Sequence, residues 1–197
     1  MSSFAEKSFF KDISNLLPDQ KPRLSYGVAV TDFDNDGSDE FIVTGFGYEN
    51  LALGYDGSSL KNKIKENIFS DFNRSTIGVA ACDIDKDGHE EIYFLNTDTY
   101  SGQKMYSDRL LKLVDKNIED LFEKDINQDE LNLTAGRSVV CVDREGKGNY
   151  GIYVANYGGP TRFYEYIDNR VVDLAESLNL YEITGGRAVV AGHIISD

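Results

Sequence analysis

Two stretches of this chain gather carboxylates at a spacing suited to holding a cation: TDFDNDGSDEF at 31–41 and CDIDKDGHEEI at 82–92. Counted from the first aspartate, positions 1, 3, 5 and 9 are Asp32, Asp34, Asp36 and Glu40 in one loop and Asp83, Asp85, Asp87 and Glu91 in the other. Alternate residues of a tight loop point inward, so these side chains converge. Gly37 and Gly88 at position 6 permit a sharp reversal that turns the backbone carbonyl of Ser38 or His89 to the same centre. Four carboxylates and a carbonyl make an all-oxygen set. This suits Ca²⁺, which takes roughly six to eight oxygens at about 2.3 to 2.6 Å. Zn²⁺ and Cu²⁺ ask for nitrogen or sulfur, and neither loop offers these at ligand spacing. Two calcium ions are therefore expected, one per loop, with Asp39 left to water. Without a cation, carboxylates about 4 Å apart repel by about 1 kcal/mol in water and several-fold more where screening is poor.

Two other readings compete. Asp, Asn and Gly also dominate ordinary solvated turns, but the same spacing recurring at equivalent points of a repeat argues against that. An EF-hand would need a bidentate Glu at position 12, and position 12 is Val43 or Phe94, inside apolar runs. A third loop in the same register reads Asp143, Glu145, Lys147, Gly148, Gly151. It keeps the glycine, puts a lysine at position 5 and loses the carboxylate at position 9, so no Ca²⁺ is expected there. Either the Lys147 ammonium takes the cation's place beside Asp143 and Glu145, or the turn holds no cage. The fourth equivalent (His193, Ile195, Asp197) has lost its ligands.

The elements that position these loops are repeated too. YGVAVTDFDNDGSDEFIVTG (26–45), IGVAACDIDKDGHEEIYFLN (77–96), SVVCVDREGKGNYGIYVAN (138–156) and GRAVVAGHIISD (186–197) line up, with steps of 51, 60 and 50 between Asp32, Asp83, Asp143 and His193. A period near 50 points to propeller or solenoid units. Each unit reads strand, acidic turn, strand, with β-branched and aromatic residues leading in and out. A third strand follows in LALGYDG, LLKLVDK and RFYEYIDN, and a fourth in NIFSDF, NIEDLFE and RVVDLAE; DLAESLNL also has helical spacing. The fold class is all-β: propeller blades of four antiparallel strands, about three to three and a half of them. The blades are expected at 26–76, 77–136 and 137–186, with a fourth beginning at 187–197. Residues 1–25 form an N-terminal segment whose FFKDISNLL reads as the outer strand of a closing blade. The ring is incomplete, so an exposed edge is expected.

The chain has 197 residues, 34 of them acidic against 20 Lys and Arg, for a formal net charge of −14. Such a charge disfavours nucleic acid and anionic membrane as partners. No apolar run approaches the roughly 18 residues of a spanning helix, so no membrane insertion is expected. MSSFAEKSFFKDIS lacks the basic start and apolar segment of a secretory signal. Cys82 and Cys141 are too few for a disulfide framework and, lying in apolar strand-like runs, read as buried free thiols. Two glycosylation sequons begin at Asn73 and Asn132. Neither His89 nor His193 sits in a local pattern with a nucleophile and an orienting acid, and no G-x-S-x-G or zinc motif is present. The function expected is a non-enzymatic scaffold; the competing class is the propeller part of a hydrolase-associated or other enzymatic protein. A sensor is disfavoured, because a loop between two packed strands has little room to open. The insertion TDTYSGQKMYS at 97–107 reads either as a solvated insertion or as the contact loop.

The motif D-x-D-x-D-G-x-x-[DE] before an apolar strand resembles the FG-GAP or VCBS repeat of integrin-α-type β-propellers. GVAVTDFDNDG, GVAACDIDKDGHEEIYFLNT, AGRSVVCVDREGKG, IYVANY and TGGRAVVAG resemble successive blades from the N-terminal half of the propeller in the cartilage acidic protein family. That resemblance implies a seven-bladed ring and a secreted, calcium-binding, non-enzymatic protein. It implies calcium at Asp32, Asp34, Asp36 and Glu40 and at Asp83, Asp85, Asp87 and Glu91, and an extracellular protein, receptor or matrix partner.

Overall fold

The apolar runs on either side of each acidic loop form the strands that the sequence leads one to expect, and they assemble into three antiparallel sheets. The computed structural model describes residues 10–17, 22–64 and 67–192. The first sheet contains β1 (Val28–Thr31), β2 (Glu40–Val43), β3 (Leu51–Tyr55) and β4 (Leu60–Asn62), each paired to the next. The second repeats this order with β5 (Thr76–Cys82), β6 (Glu91–Asn96), β7 (Arg109–Val114) and β8 (Asn117–Asp120). The third has β9 (Gly136–Val142), β10 (Gly151–Pro160), β11 (Arg162–Ile167) and β12 (Arg170–Asp173), and β13 (Ile183–Gly185) pairs with the far end of β10. The fold is all-β, made of successive four-stranded blades of an incomplete propeller.

The registers show how strictly the repeat is kept. Thr31 pairs with Glu40, Cys82 with Glu91 and Val142 with Gly151. Loop positions 1 to 8 therefore hang between the same closing pair in every blade. The inner strands β1, β5 and β9 pack side by side. A Cβ added at Gly27 would lie 3.1 Å from the Gly78 Cα, and one added at Gly78 would lie 3.3 Å from the Val139 side chain. The absence of a side chain at these matched positions lets neighbouring blades approach.

The core sits between blades. Alternate residues of β6 face opposite neighbours: Ile92 and Phe94 pack with Ile42, Ala52 and Phe69 of the first blade, while Tyr93 and Leu95 pack with Ile152, Val154 and Tyr164 of the third. A strand buried on both faces needs no polar alternation, which accounts for the unbroken EIYFL. Each fully buried large side chain contributes on the order of 1.5–3 kcal/mol. Phe33 and Ile84, at loop position 2, insert into the same two cores and so fasten the acidic loops to them.

Some elements differ from expectation. In the first blade the fourth strand is Leu60–Asn62, and NIF is a 3-10 turn (Asn67–Phe69). Asn62 Oδ1 accepts from the Ala52 and Ile64 N–H groups. Asp120 does the same for Leu110 and Phe122, and Asp173 for Phe163 and Ala175. The strand thus ends on an Asx side chain that clasps its neighbour, a cue outweighed in the sequence reading by the apolar NIF. RVVD is strand, and DLAESLNL closes as one irregular turn through a Leu178 N–H to Leu174 carbonyl bond of 3.0 Å. Where FFKDISNLL suggests an outer strand, the described part carries a 3-10 turn at Ser14–Leu16. Residues 186–192 have no regular structure, and His193, Ile195 and Asp197 lie outside the described residues.

Candidate metal centre

The first residue of each loop builds it. Asp32 accepts the Asp36 N–H on one oxygen (3.0 Å) and the Gly37 N–H on the other (2.8 Å). Asp83 accepts the Asp87 and Gly88 N–H groups at 3.2 and 3.0 Å, and Asp143 those of Lys147 and Gly148 at 3.1 and 2.6 Å. Positions 4 and 6 take left-handed backbone in all three loops: Asn35 and Gly37, Lys86 and Gly88, Gly146 and Gly148. Glycine removes the penalty at position 6, and Asn is the side chain that best tolerates position 4. Asp36 and Asp87 then accept the N–H of Ser38 and His89.

This scaffold brings three of the four expected carboxylates of each loop together, leaving Glu40 outside the first group and Asp87 outside the second. Ligand oxygens of Asp32, Asp34 and Asp36 lie within 4.8 Å of one another, and so do those of Asp83, Asp85 and Glu91. Both groups could hold a metal ion. Asp39 and Glu90 face solvent. Glu40 and Glu91 are buried at the base of their loops. The Glu40 Oε2 atom and the Asp85 Oδ1 atom are buried without a hydrogen-bond partner, and burial pushes the Glu40 carboxyl above its ordinary range. Burial also pushes Glu91 up to about 7, only partly offset by hydrogen bonds from Lys112 and the Ile84 N–H. An orphaned, desolvated carboxylate oxygen is costly unless a cation meets it. The donor set and its unmet oxygens fit a hard divalent ion.

Each cage also contains an internal cation that the sequence reading missed. Lys63 Nζ lies 2.6 Å from Asp36, 2.7 Å from Glu40 and 4.0 Å from Asp34. Lys112 Nζ lies 2.5 Å from Asp85, 2.6 Å from Asp87 and 3.0 Å from Glu91. The two lysines come from different places: Lys112 from β7, Lys63 from just beyond β4. Lys63 passes over Gly54, where an added Cβ would come within 2.3 Å of its Cε. Gly54 faces Glu40 in the β2–β3 register. Hydrogen bonds to Asp36 and Glu40 raise the Lys63 pKa; for Lys112, burial pulls the pKa down but the three carboxylates outweigh it and the net direction is up. Two unrelated positions thus deliver the same ammonium, which shows how strongly the clustered carboxylates demand positive charge.

The third loop meets that demand differently. Lys147 pairs with Glu145 at 2.9 Å, but its side chain is 71% exposed and Asp143 takes only backbone N–H groups, so the ammonium does not sit inside a cage. Position 2 is Arg144, which forks onto Glu165 of β11 at 2.5 and 3.2 Å. Arg144 is the loop's own cation and Glu165 stands where the second blade has Lys112, so the charges are exchanged between loop and strand. Aligning the third strands of the repeat would have shown this.

Two cysteine and sequon expectations need correction. Cys82 and Cys141 are joined in a disulfide with a Cα–Cα separation of 6.3 Å, and no free cysteine remains. They end neighbouring inner strands, β5 and β9, and a sequence separation of 59 hid the proximity that blade stacking creates. Asn132 is 0% exposed. Its side chain donates to Asp108 at 2.6 Å and exchanges two 3.0 Å hydrogen bonds with Asn156, so it is not an accessible glycan acceptor. Asn73 is exposed. The same buried network anchors the 97–107 insertion, because Lys104 is buried and pairs with Asp108. Tyr100 and Met105 of that insertion are exposed.

The matched acidic loops are each closed by an antiparallel strand pair within a four-stranded blade, and residues 32–94 match the family model of the FG-GAP-like repeat. Over almost its whole length the chain is homologous to cartilage acidic protein 1. It is 40% identical to the human protein over 224 aligned residues and 38% identical to that of Xenopus tropicalis over 220, covering 99% and 98% of this chain. The mouse protein is 40% identical over 224 residues. The chain spans about a third of the length of these relatives, 34% in each case.

Proposed function

We propose that this chain is a calcium-stabilised β-propeller segment of an extracellular, non-enzymatic scaffold that contacts other proteins. The observation that carries the reading is the pair of buried glutamates, Glu40 and Glu91, at the base of two identically folded aspartate loops. Asp32, Asp34, Asp36 and Glu40 would hold one ion, and Asp83, Asp85, Asp87 and Glu91 the other, each with the carbonyl of Ser38 or His89. Calcium, when bound, supplies the divalent charge that lets the carboxylates stay converged. Lys63 and Lys112 supply that charge in the ion-free chain and withdraw to free the oxygens. Extracellular modules of this chemistry bind Ca²⁺ at about 10⁻⁴ to 10⁻³ M, so the sites would fill outside cells.

The Cys82–Cys141 bond supports an oxidising compartment, where such links persist. Homology to proteins named for cartilage agrees with an extracellular setting. The cages tie loops to rigid inter-blade cores through Phe33 and Ile84, which favours a structural role over sensing. Thermal unfolding with calcium or EDTA, on the wild type, Asp32→Ala and Asp83→Ala, tests this. Calcium is expected to raise the wild-type melting temperature, and each substitution to lower that gain. A melting temperature unchanged by EDTA and by both substitutions overturns it.

A further inference from the structure

The face opposite the acidic loops carries a different chemistry. The residues six positions ahead of Asp32, Asp83, Asp143 and His193 are Tyr26, Ile77, Arg137 and Arg187. Tyr26, Ile77 and Arg137, at the entry ends of β1, β5 and β9, and Arg187, beyond β13, line a single cleft of about 590 Å³ together with Phe46, Tyr100 and Asp98. The repeat therefore builds one mouth from three blades and the segment that follows them. Its wall changes from aromatic and aliphatic at the first two blades to guanidinium at the third and at Arg187.

Both guanidiniums are fixed in place without a carboxylate. Arg137 Nη1 donates to Thr97 Oγ1 at 3.0 Å and to the Gly136 carbonyl at 2.8 Å, and its Nη2 donates to the Tyr100 carbonyl. Its Cζ lies 5.4 Å from the ring centroids of both Tyr100 and Tyr157. Arg187 lies 5.5 Å from the Tyr157 centroid and donates to the Tyr100 hydroxyl at 3.3 Å. No carboxylate comes within 4.0 Å of either guanidinium among the described residues. In contrast, Arg74, Arg109, Arg144 and Arg162 all have acidic partners. Asp98, the acid at the cleft, is turned away: its oxygens accept the Met105 and Tyr106 N–H groups at 2.8 to 3.1 Å. In a chain of net charge −14, two arginines stacked on the same Tyr157 ring concentrate positive charge at this cleft.

We infer that this cleft binds a carboxylate side chain of an acidic, apolar-flanked peptide segment in a partner protein. Stacked guanidiniums are pre-organised for a planar carboxylate and retain N–H groups to meet it. The Tyr26–Phe46 edge pair, with centroids 5.5 Å apart, and Ile77 offer the adjoining apolar wall. A sulfated polysaccharide fits less well, because it needs an extended basic track and the cleft has two cations between aromatic walls. The inference rests on the scaffold reading for the existence of a partner, but not on calcium.

Binding of dye-labelled, C-terminally amidated Phe-Asp-Phe-Glu, measured by fluorescence anisotropy at low salt, tests it against the equally amidated Phe-Asn-Phe-Gln analogue and heparin. The wild-type chain is expected to bind the acidic peptide and not the amide. Arg187→Met and Arg137→Met are each expected to weaken binding about tenfold or more, which is about 1.4 kcal/mol. Arg187→Lys should recover part of it. Arg187 lies outside the strands, so its variants report on the site even if Arg137→Met loosens the 97–107 insertion. The same result in calcium and in EDTA supports the cleft even where the metal reading fails. Equal binding of acid and amide, no binding of either up to millimolar peptide, or heparin held tightly through the same two arginines overturns it.

Discussion

Reducing the disulfide should loosen the joint between the second and third blades while leaving the blades themselves paired. Cys82 and Cys141 close a loop of 59 residues, and the chain-entropy relation for such a loop gives about 4 kcal/mol at room temperature. For a chain of this size each kcal/mol shifts the melting temperature by roughly 2–4 °C, so the expected fall is roughly 8–16 °C. Differential scanning calorimetry of the wild type with and without dithiothreitol measures it. Cys82→Ala combined with Cys141→Ala is the control, which should melt low and ignore the reductant. Because the inter-blade core around Tyr93, Leu95 and Tyr164 remains, far-ultraviolet circular dichroism should keep its β signature below the transition. The reasoning fails if both thiols alkylate without reductant, or if reduction moves the midpoint by less than about 2 °C.

Three other outcomes follow from the site. Lys112→Met leaves Asp85, Asp87 and Glu91 without their ammonium; it should destabilise the chain in EDTA by about 2–4 kcal/mol, yet tighten calcium binding about tenfold or more, as read by calorimetric titration. Gly88→Ala, at a φ of 89° with open space around it, should cost on the order of 1–2 kcal/mol through backbone strain alone, and Gly88→Asn less, as urea unfolding would show. Expressed through a secretory route, the chain should carry a glycan at exposed Asn73 and none at buried Asn132, which glycosidase mass shifts on the Asn73→Gln and Asn132→Gln chains would separate.

The repeat, the blade architecture and the acidic loops were legible in the sequence because their information is local. Asp at position 1, a left-handed glycine at position 6 and a β-branched strand on each side act within a dozen residues. What stayed hidden depends on contacts between repeats or across strands. Lys63 and Lys112 reach the cages from 23 and 21 residues beyond Glu40 and Glu91, and no single motif contains both partners. The disulfide needed the stacking of β5 on β9. Asn132 looked like a surface sequon because it lies in a connection between blades, yet its amide is consumed by Asp108 and Asn156. The NIF segment of the first blade had strand-like composition, but the Asn62 clasp ended the sheet first.

The loops beginning at Asp32 and Asp83 are proposed above as calcium sites. Calorimetric titration of the EDTA-stripped chain with CaCl₂ tests this most directly, alongside Asp32→Asn and Asp83→Asn. Two ions per chain are expected, falling to one in each variant and to none when the two substitutions are combined. A titration with no binding heat, or a stoichiometry that both substitutions leave unchanged, contradicts the proposal.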